Sequence, residues 1–461
     1  MNWLVHEWRL LVRSRLAAAA LLLLLCLSAL AVLAGLREVQ RQRHTIARVQ
    51  GLQQQELQAE MQKHATKGDA GSAAYYTFHG TWDPPSPAAF LALGLRDAAP
   101  YVLRVRALAL QAQLHEGEST NPELVLAGRF DFAFVLVYLA PLFLVVLHYD
   151  LVSGERSAGR LGALLALPGT GRRLWLRRSG LRVGLVFAAL VTPALAGALA
   201  SGTPAAGLLT LLLATAPYLL FWSGLALGVA ALGGSSAAKA TALVGAWVVL
   251  TLVAPTLSNA ALARLLPVHQ GVELMLGQRE AVHGAWDKPR EATMERFFRG
   301  HPEWRGTAPL PAGFHWKWYF AFQQLGDESV QAQVAAYRDG LVARQRWTER
   351  LGWLLPAVGV QAALHRHANT DLLAELAYQD RIAQFHDRLR RFYYPYLFSE
   401  TRFGTDAFAK LPRFEPAPVA ADLPLPPLLG LAAMALLASW GGIVSLRRIG
   451  LLQARPSAAP S

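Results

Sequence analysis

Long apolar runs alternate with charged stretches along this chain of 461 residues. Each of six runs holds about 18 residues or more, enough to cross the hydrocarbon core of a membrane as a helix. The runs are 16–36, 130–147, 183–200, 205–232, 240–257 and 428–446. The pattern predicts an all-α polytopic membrane protein with six transmembrane helices.

The first run is longer than the core of a secretory signal peptide. It holds 21 residues without a charge, whereas a signal-peptide core usually has about 7–15. We therefore expect an uncleaved anchor. Apolar residues then recur at near-helical spacing through a stretch rich in Gln and Arg, so the span is predicted to continue as an amphipathic stalk.

A further apolar segment, 351–364, has 14 residues without a charge. This length is too short for a span and suits a buried or interfacial helix, and both alternatives stay open.

Positive charge is concentrated beside particular spans. The chain has a net charge of +13, yet the two longest connections, 37–129 and 258–427, are nearly balanced. The excess lies in residues 1–15, in the tail 447–461, and in the connection 148–182, which holds seven arginines: Arg156, Arg160, Arg172, Arg173, Arg177, Arg178 and Arg182. Because basic residues favour the cytoplasmic side of membrane proteins, these three segments and both termini are predicted to be cytoplasmic.

This orientation places 37–129 and 258–427 on the opposite side as two mainly helical extracytoplasmic domains. Residues 1–15 are predicted to form an amphipathic helix on the cytoplasmic surface. The basic composition then reflects membrane orientation and contact with the lipid bilayer. A nucleic-acid partner is not expected, because it would need clustered cations on a soluble surface.

Motifs for catalysis, cofactors or metals are missing from the sequence. No phosphate-binding G-x-x-x-x-G-K-[ST] loop occurs, and the glycine-rich 169–172 lacks both its spacing and its lysine. His6-Glu7 matches the start of the metal-binding motif H-E-x-x-H, but position 10 is Leu10 instead of the second histidine. His365 and His367 are two residues apart and do not share a helix face. Cys26 is the only cysteine. We predict no enzyme, no catalytic residue, no cofactor site and no metal site.

The last four predicted spans contain no Asp, Glu or His. Proton- and ion-coupled transporters usually place such residues within the membrane, so the energy for any transport is expected to come from a partner. Gly224 and Gly228 form a G-x-x-x-G step that predicts close helix packing. That packing could lie within one subunit or at a dimer seam.

The connection after the second span contains a predicted helix, 155–168. Glu155 lies in its first turn, where the helix dipole favours a carboxylate, and Pro168 ends it. Leu161, Leu164 and Leu165 share one face. Such a helix could dock into a groove on a cytoplasmic partner or rest on the inner leaflet, and the residue pattern alone leaves both open.

This segment resembles the coupling helix in permease subunits of type-2 ABC transporters, which have six spans. The residues that match that pattern are Glu155, Gly159, Leu164, Leu165, Pro168 and Arg172. Residues 120–178, with Asn121-Pro122, Phe130-Asp131-Phe132 and Pro141-Leu142, are similar to a branch with large extracytoplasmic insertions after spans one and five, grouped with permeases of copper-enzyme maturation systems. Arg160 departs from this pattern, since the family often has Thr or Ser after the glycine.

The resemblance implies an exporter subunit in the bacterial cytoplasmic membrane. Two copies of a separate ATPase subunit would bind ATP and drive it, and a second copy or a similar permease would complete it. The residues implied to couple to the ATPase are Glu155, Arg156, Gly159, Leu161, Leu164, Leu165, Pro168 and Arg172. The large outer domains are also compatible with an extracytoplasmic partner.

A different class of function is the alternative: a membrane-anchored receptor or assembly factor whose outer domains bind a partner without transport. It predicts no ATPase partner and tolerance of substitutions in the last four spans. An intramembrane enzyme is disfavoured because no acid–base pair is embedded in the spans.

Overall fold

Six helices of the computed structural model are long and apolar enough to cross a membrane. The structure describes residues 2–64, 66–115, 129–166, 171–268, 271–416 and 423–453. In chain order the spans are Arg15–His64, Phe132–Ser157, Gly171–Ala200, Ala205–Ala230, Ser236–Leu265 and Leu425–Ile449. The prediction of an all-α polytopic membrane protein with six spans is confirmed.

The first span continues far beyond the apolar run. Its 50 residues form one helix, about 75 Å long at 1.5 Å per residue. Val39 and Ile46 are buried on one face of the polar half. The predicted stalk is therefore present, and we use that name for residues 37–64.

Two spans contain a π-helical turn, which interrupts the regular α-helical hydrogen bonds. These turns are Val135–Leu139 in the second span and Val248–Val253 in the fifth. Two side chains from other spans reach the carbonyl groups of the second-span turn. The Tyr218 hydroxyl donates to the Val137 oxygen at 2.7 Å, and Trp247 Nε1–H donates to the Tyr138 oxygen at 3.1 Å. Each bond satisfies a polar group that would be costly to leave unpaired in hydrocarbon.

The fourth and sixth spans pack with their backbones in contact. A Cβ atom on Gly224 would overlap the backbone of Ala438 and Ser439, and one on Gly442 would overlap the Gly224 carbonyl. Gly224 therefore packs within the chain. Gly228, the other glycine of the predicted step, has no such neighbour within 4 Å among the described residues.

The two long connections form a single assembly at one end of the bundle, which we call the domain end. The first connection contains the helices Ala70–Tyr76 and Leu110–His115 and the short 3₁₀ helices Ala89–Leu91 and Gly94–Asp97. It also forms an antiparallel pair of strands, β1 (His79–Trp82) and β2 (Val102–Val105), with His79 opposite Val105. The second connection is helical in Gly271–Gly284, Arg290–Gly300, Trp316–Ser329, Gln331–Leu351, Pro356–Ala368, Leu372–Phe398 and Thr405–Ala409.

An ion pair within the second connection binds backbone groups of the first. The Arg390 guanidinium donates to Asp327 at 2.6 Å and to the Leu108 carbonyl at 2.9 Å. Asp327 also accepts from the backbone N–H of Leu110 at 2.8 Å. Breaking a buried pair leaves an uncompensated charge, and the bonds that this pair makes to Leu108 and Leu110 hold the first connection on the second.

The helix Pro356–Ala368 inserts between the spans at the domain end, and we call it the wedge helix. Val360, Ala363 and Leu364 are fully buried in the same apolar cluster as Tyr218 and Leu431 of the fourth and sixth spans. Its 13 residues reach only about 20 Å. Of the two alternatives for segment 351–364, the structure therefore has the buried helix from Pro356 onwards, whereas residues 351–355 lie outside it and Trp353 and Leu354 are exposed.

We predict that Gly224→Val destabilises the protein in detergent while Gly228→Val does not. The first change forces the fourth and sixth backbones apart, and overpacking typically costs about 1–3 kcal/mol. Thermal unfolding monitored by tryptophan fluorescence measures both variants. Equal midpoints for the two variants would contradict the close contact at Gly224.

Lowering the pH is expected to destabilise the domain end. Burial lowers the pKa of His79 to about 3 and that of His386 well below its usual value of 6.5. Because the unfolded chain binds these protons more readily, the stability from neutral histidines is present above pH 6.5 and is lost as the pH falls below it. Burial raises the pKa of Asp327, which offsets part of this loss.

When the pH is lowered from 7 to 5, the midpoint temperature of thermal unfolding should therefore fall. It should fall by less in His79→Phe than in the wild type. The control is His283→Phe, since His283 is exposed to solvent and should keep the wild-type pH dependence. The same fall in His79→Phe as in the wild type would refute the role of His79.

Candidate functional site at the basic end

The end of the bundle opposite the domain end carries most of the net positive charge, and we call it the basic end. It contains the N-terminal helix Asn2–Arg13, the connection between the second and third spans, and the 3₁₀ helix Leu446–Gln453. Those predicted coupling residues that the structure describes lie here.

The prediction of one continuous helix over 155–168 is wrong. The structure has two short helices, Ser153–Ser157 and Leu161–Ala166, which we call the loop helices. They are separated at Gly159, whose φ of 69° is left-handed. Glycine adopts this conformation without steric cost, so it ends the first helix. Pro168 lies outside the described residues.

Arg178 of the third span ties three segments together. Its guanidinium donates to Glu155 Oε1 at 2.8 Å and to Glu7 Oε1 of the N-terminal helix at 3.1 Å. Arg160 adds a bond to Glu155 Oε2 at 2.7 Å. We call this set the clasp.

Most of the clasp is shielded from water. The side chains of Arg178, Glu155 and Glu7 are only 11%, 16% and 14% exposed, whereas Arg160 is 64% exposed. Charge-assisted bonds are stronger in such shielded surroundings than on an open surface. The clasp therefore fixes the first loop helix on the third span.

An apolar contact fixes the second loop helix. Leu161 is 4% exposed and packs in a cluster with Trp175 of the third span, Leu227 of the fourth and Leu446 near the end of the sixth. Leu161 is thus used for attachment inside the chain and does not belong to an outward face.

Polar bonds connect the basic ends of several spans. His148 Nδ1–H donates to the Leu144 carbonyl at 2.9 Å, so Nε2 is left to accept from the Ser179 hydroxyl at 3.0 Å. Ser179 Oγ lies 2.8 Å from Ser223 Oγ. Lys239 of the fifth span donates to the Ala230 carbonyl at 2.8 Å. These bonds link the second to the third, the third to the fourth and the fourth to the fifth span.

The remaining predicted residues lie around this attachment. Arg156, Leu164 and Leu165 are half-buried, and Arg172 is exposed. The exposed positions of the loop helices and their joint are Ser157, Ala158, Gly159, Arg160, Gly162, Ala163 and Ala166. This outward face is built mainly of small residues, which allow a second surface to approach closely.

Sequence reasoning missed the central role of Arg178. The available signal was the small number of acidic residues among the many basic ones at this end. Two of them, Glu7 and Glu155, both bind Arg178. No group of three or more His, Cys, Asp or Glu side chains within the described residues could hold a metal ion.

The fold and this site define a polytopic α-helical membrane protein with a reinforced connection at its basic end. Residues 272–417 match a family described as a domain of unknown function, DUF3526. This match covers most of the second long connection at the domain end. No curated protein and no solved structure matches the chain.

Loss of the clasp should loosen two segments at once. In Arg178→Gln, the Asn2–Arg13 and Ser153–Ser157 helices are expected to exchange backbone deuterium about tenfold faster, since bonds to charged groups contribute about 1.5–3 kcal/mol. The exposed Arg173 at the same end provides the matched control, Arg173→Gln. Exchange in Arg178→Gln that is no faster than in the control would show that the clasp does not hold these helices.

Proposed function

We propose that the chain is the transmembrane permease subunit of an ATP-binding-cassette exporter in the bacterial cytoplasmic membrane. The loop helices receive force from a separate ATPase subunit. The observation that carries the proposal is the clasp, because it attaches the outward-facing loop helices to the third span at the basic end.

The attachment has the properties that a force-transmitting element needs. A push on the exposed face of the loop helices meets the buried Leu161 contact and the Glu155–Arg178 bond. Both contacts are made with residues of the third span. The Glu7–Arg178 bond connects the third span in turn to the N-terminal helix. Motion of the loop helices is therefore coupled to the bundle through packed and ionic contacts.

The distribution of charge supports the proposed orientation. The seven arginines of the connection between the second and third spans lie at the basic end, as the positive-inside rule requires of a cytoplasmic side. The domain end then faces away from the cytoplasm.

The partners in this proposal are two ATPase copies and a second permease. The fifth span buries only Lys239, Leu243 and Thr251 among its described residues. Most of its apolar surface therefore remains for lipid or for a second permease. ATP binds to the ATPase partner, and no cofactor is assigned to this chain.

The sharpest test changes the outward face without touching the clasp. Glu155 is a poor choice because its substitution breaks an internal bond. Ala163→Asp places a charge on an exposed position of the second loop helix. We expect this variant to lose co-purification with its ATPase subunit, at wild-type expression and thermal stability.

The control is Ala335→Asp on the exposed side of Gln331–Leu351 at the domain end, which should keep the ATPase. If Ala163→Asp retains the ATPase as well as the control does, the loop helices are not the docking site. If the wild-type chain binds no ATPase, the proposal fails in favour of a receptor or assembly factor.

A further inference from the structure

A groove opens between the third, fourth and sixth spans, in the half of the bundle next to the basic end. Its volume is about 400 Å³, within the usual range of ligand sites. Its lining in the third span begins at Leu176 and ends at Phe187. No charged side chain lines the groove in the part of the chain that the structure describes. The groove is therefore an apolar site at membrane depth, separate from the clasp.

The fourth span forms the floor of the groove and holds the other two spans beside it. Ser179 Oγ of the third span lies 2.8 Å from Ser223 Oγ of the fourth. On the other side, the Ser439 hydroxyl of the sixth span donates to the Leu220 carbonyl at 3.4 Å. These three serines line the groove, but their hydroxyl groups already bond within the chain. The surface that a ligand meets is therefore mainly apolar.

The length of the groove matches one leaflet of a bilayer. From Leu176 to Phe187 the third span rises about 17 Å, at 1.5 Å per residue. One half of a hydrocarbon core that is about 30 Å thick measures about 15 Å. Two glycines on this side of the groove, Gly180 and Gly184, have open space where a side chain would stand. The groove therefore has room along the length of one acyl chain.

Exposed arginines lie one helical turn beyond the groove, towards the basic end. Arg172 and Arg173 come four and three residues before Leu176 in the third span. Arg447 comes four residues after Ile443, near the end of the sixth span. Residues three or four apart are neighbours on a helix surface. We call Arg172, Arg173 and Arg447 the rim of the groove.

We infer that the groove binds one acyl chain of an anionic phospholipid, whose phosphate group contacts the rim. The apolar lining receives the chain, and guanidinium groups bind phosphate oxygens through charge-assisted hydrogen bonds. Basic residues beside a span attract anionic lipid headgroups. This inference rests on the arrangement of three spans and does not depend on coupling to an ATPase.

A helix from a second copy of this chain is the competing occupant. Gly180 and Gly184 form a G-x-x-x-G step, which permits close helix packing. The charge at the rim disfavours this neighbour, because a second copy with the same orientation brings its own basic end to the same depth. Like charges placed side by side oppose association. A phospholipid of negative charge meets no such opposition.

Lipid binding can be counted on the full chain by native mass spectrometry. The probes are dioleoyl phosphatidylglycerol and dioleoyl phosphatidylcholine, which have the same acyl chains and are titrated separately into the detergent-solubilised protein. We expect the first phosphatidylglycerol to bind about tenfold more tightly than the first phosphatidylcholine, because only phosphatidylglycerol carries a net negative charge.

Gly184→Phe tests the groove itself. The new ring enters open space inside the groove, so it should leave the unfolding midpoint unchanged. Because the ring occupies the position of the acyl chain, binding of the first phosphatidylglycerol should weaken about tenfold. The control is Gly245→Phe in the fifth span, an exposed position that also has open space but does not line the groove. It should bind lipid as the wild type does.

The rim is tested by combining Arg172→Gln with Arg447→Gln. This double variant should lower the preference for phosphatidylglycerol about fivefold, because it removes charge from the headgroup position. The matched control combines Arg296→Gln with Arg299→Gln, two exposed arginines at the domain end, and should keep the wild-type preference.

Four results would overturn the inference. Equal affinity of the wild type for the two lipids would exclude a site for an anionic headgroup, and an unchanged preference in the rim variant would exclude the rim as that site. Equal lipid binding by Gly184→Phe and Gly245→Phe would place the lipid outside the groove. Loss of a dimer mass in Gly184→Phe, with lipid binding retained, would assign the groove to a second copy of the chain.

Discussion

The need to pair every backbone polar group in hydrocarbon organises the centre of this protein. Two spans carry π-helical turns, which disturb the regular hydrogen bonds of a helix. Tyr218 and Trp247 bond to carbonyl groups of the second-span turn. Because Tyr218 lies on the fourth span and Trp247 on the fifth, these bonds fix three spans relative to one another.

Both ends of the bundle are attached to this packed centre. Tyr218 belongs to the same buried cluster as Val360 of the wedge helix, so the domain end is anchored among the spans and does not rest loosely on them. Towards the basic end, the hydroxyls of Ser179 and Ser223 connect the third and fourth spans. The clasp then extends the third span outward to the loop helices. Both ends are therefore attached to one core by packed and hydrogen-bonded contacts.

The sequence predicted those features that depend on local pattern. Long apolar runs identified the six spans, and near-helical spacing identified the stalk, since burial of one helix face leaves a repeating trace. The break at Gly159 was missed, because a periodic pattern does not reveal the backbone conformation of one glycine. The 3.6-residue pattern also gave no sign of β1, which has only four residues.

Contacts between distant residues were out of reach for a different reason. Glu7 and Arg178 are 171 positions apart, and Gln53 meets β1 27 positions away across a turn. Each partner alone is an ordinary surface residue in the sequence. Only tertiary packing, which is set by the spans, gives them a shared role. The candidate site was therefore located by its charge and resemblance, but its internal connections needed the structure.

The stalk and the first span form one helix that extends from one end of the bundle to the other. It contains no proline and runs from Arg15 beside the basic end to His64 at the domain end. Near its middle, Gly35 lets the backbone touch that of Phe90 in the first connection, so the helix is supported at that point. The N-terminal helix below it is held by Glu7 in the clasp. The first span therefore connects the two ends of the bundle through one continuous helix.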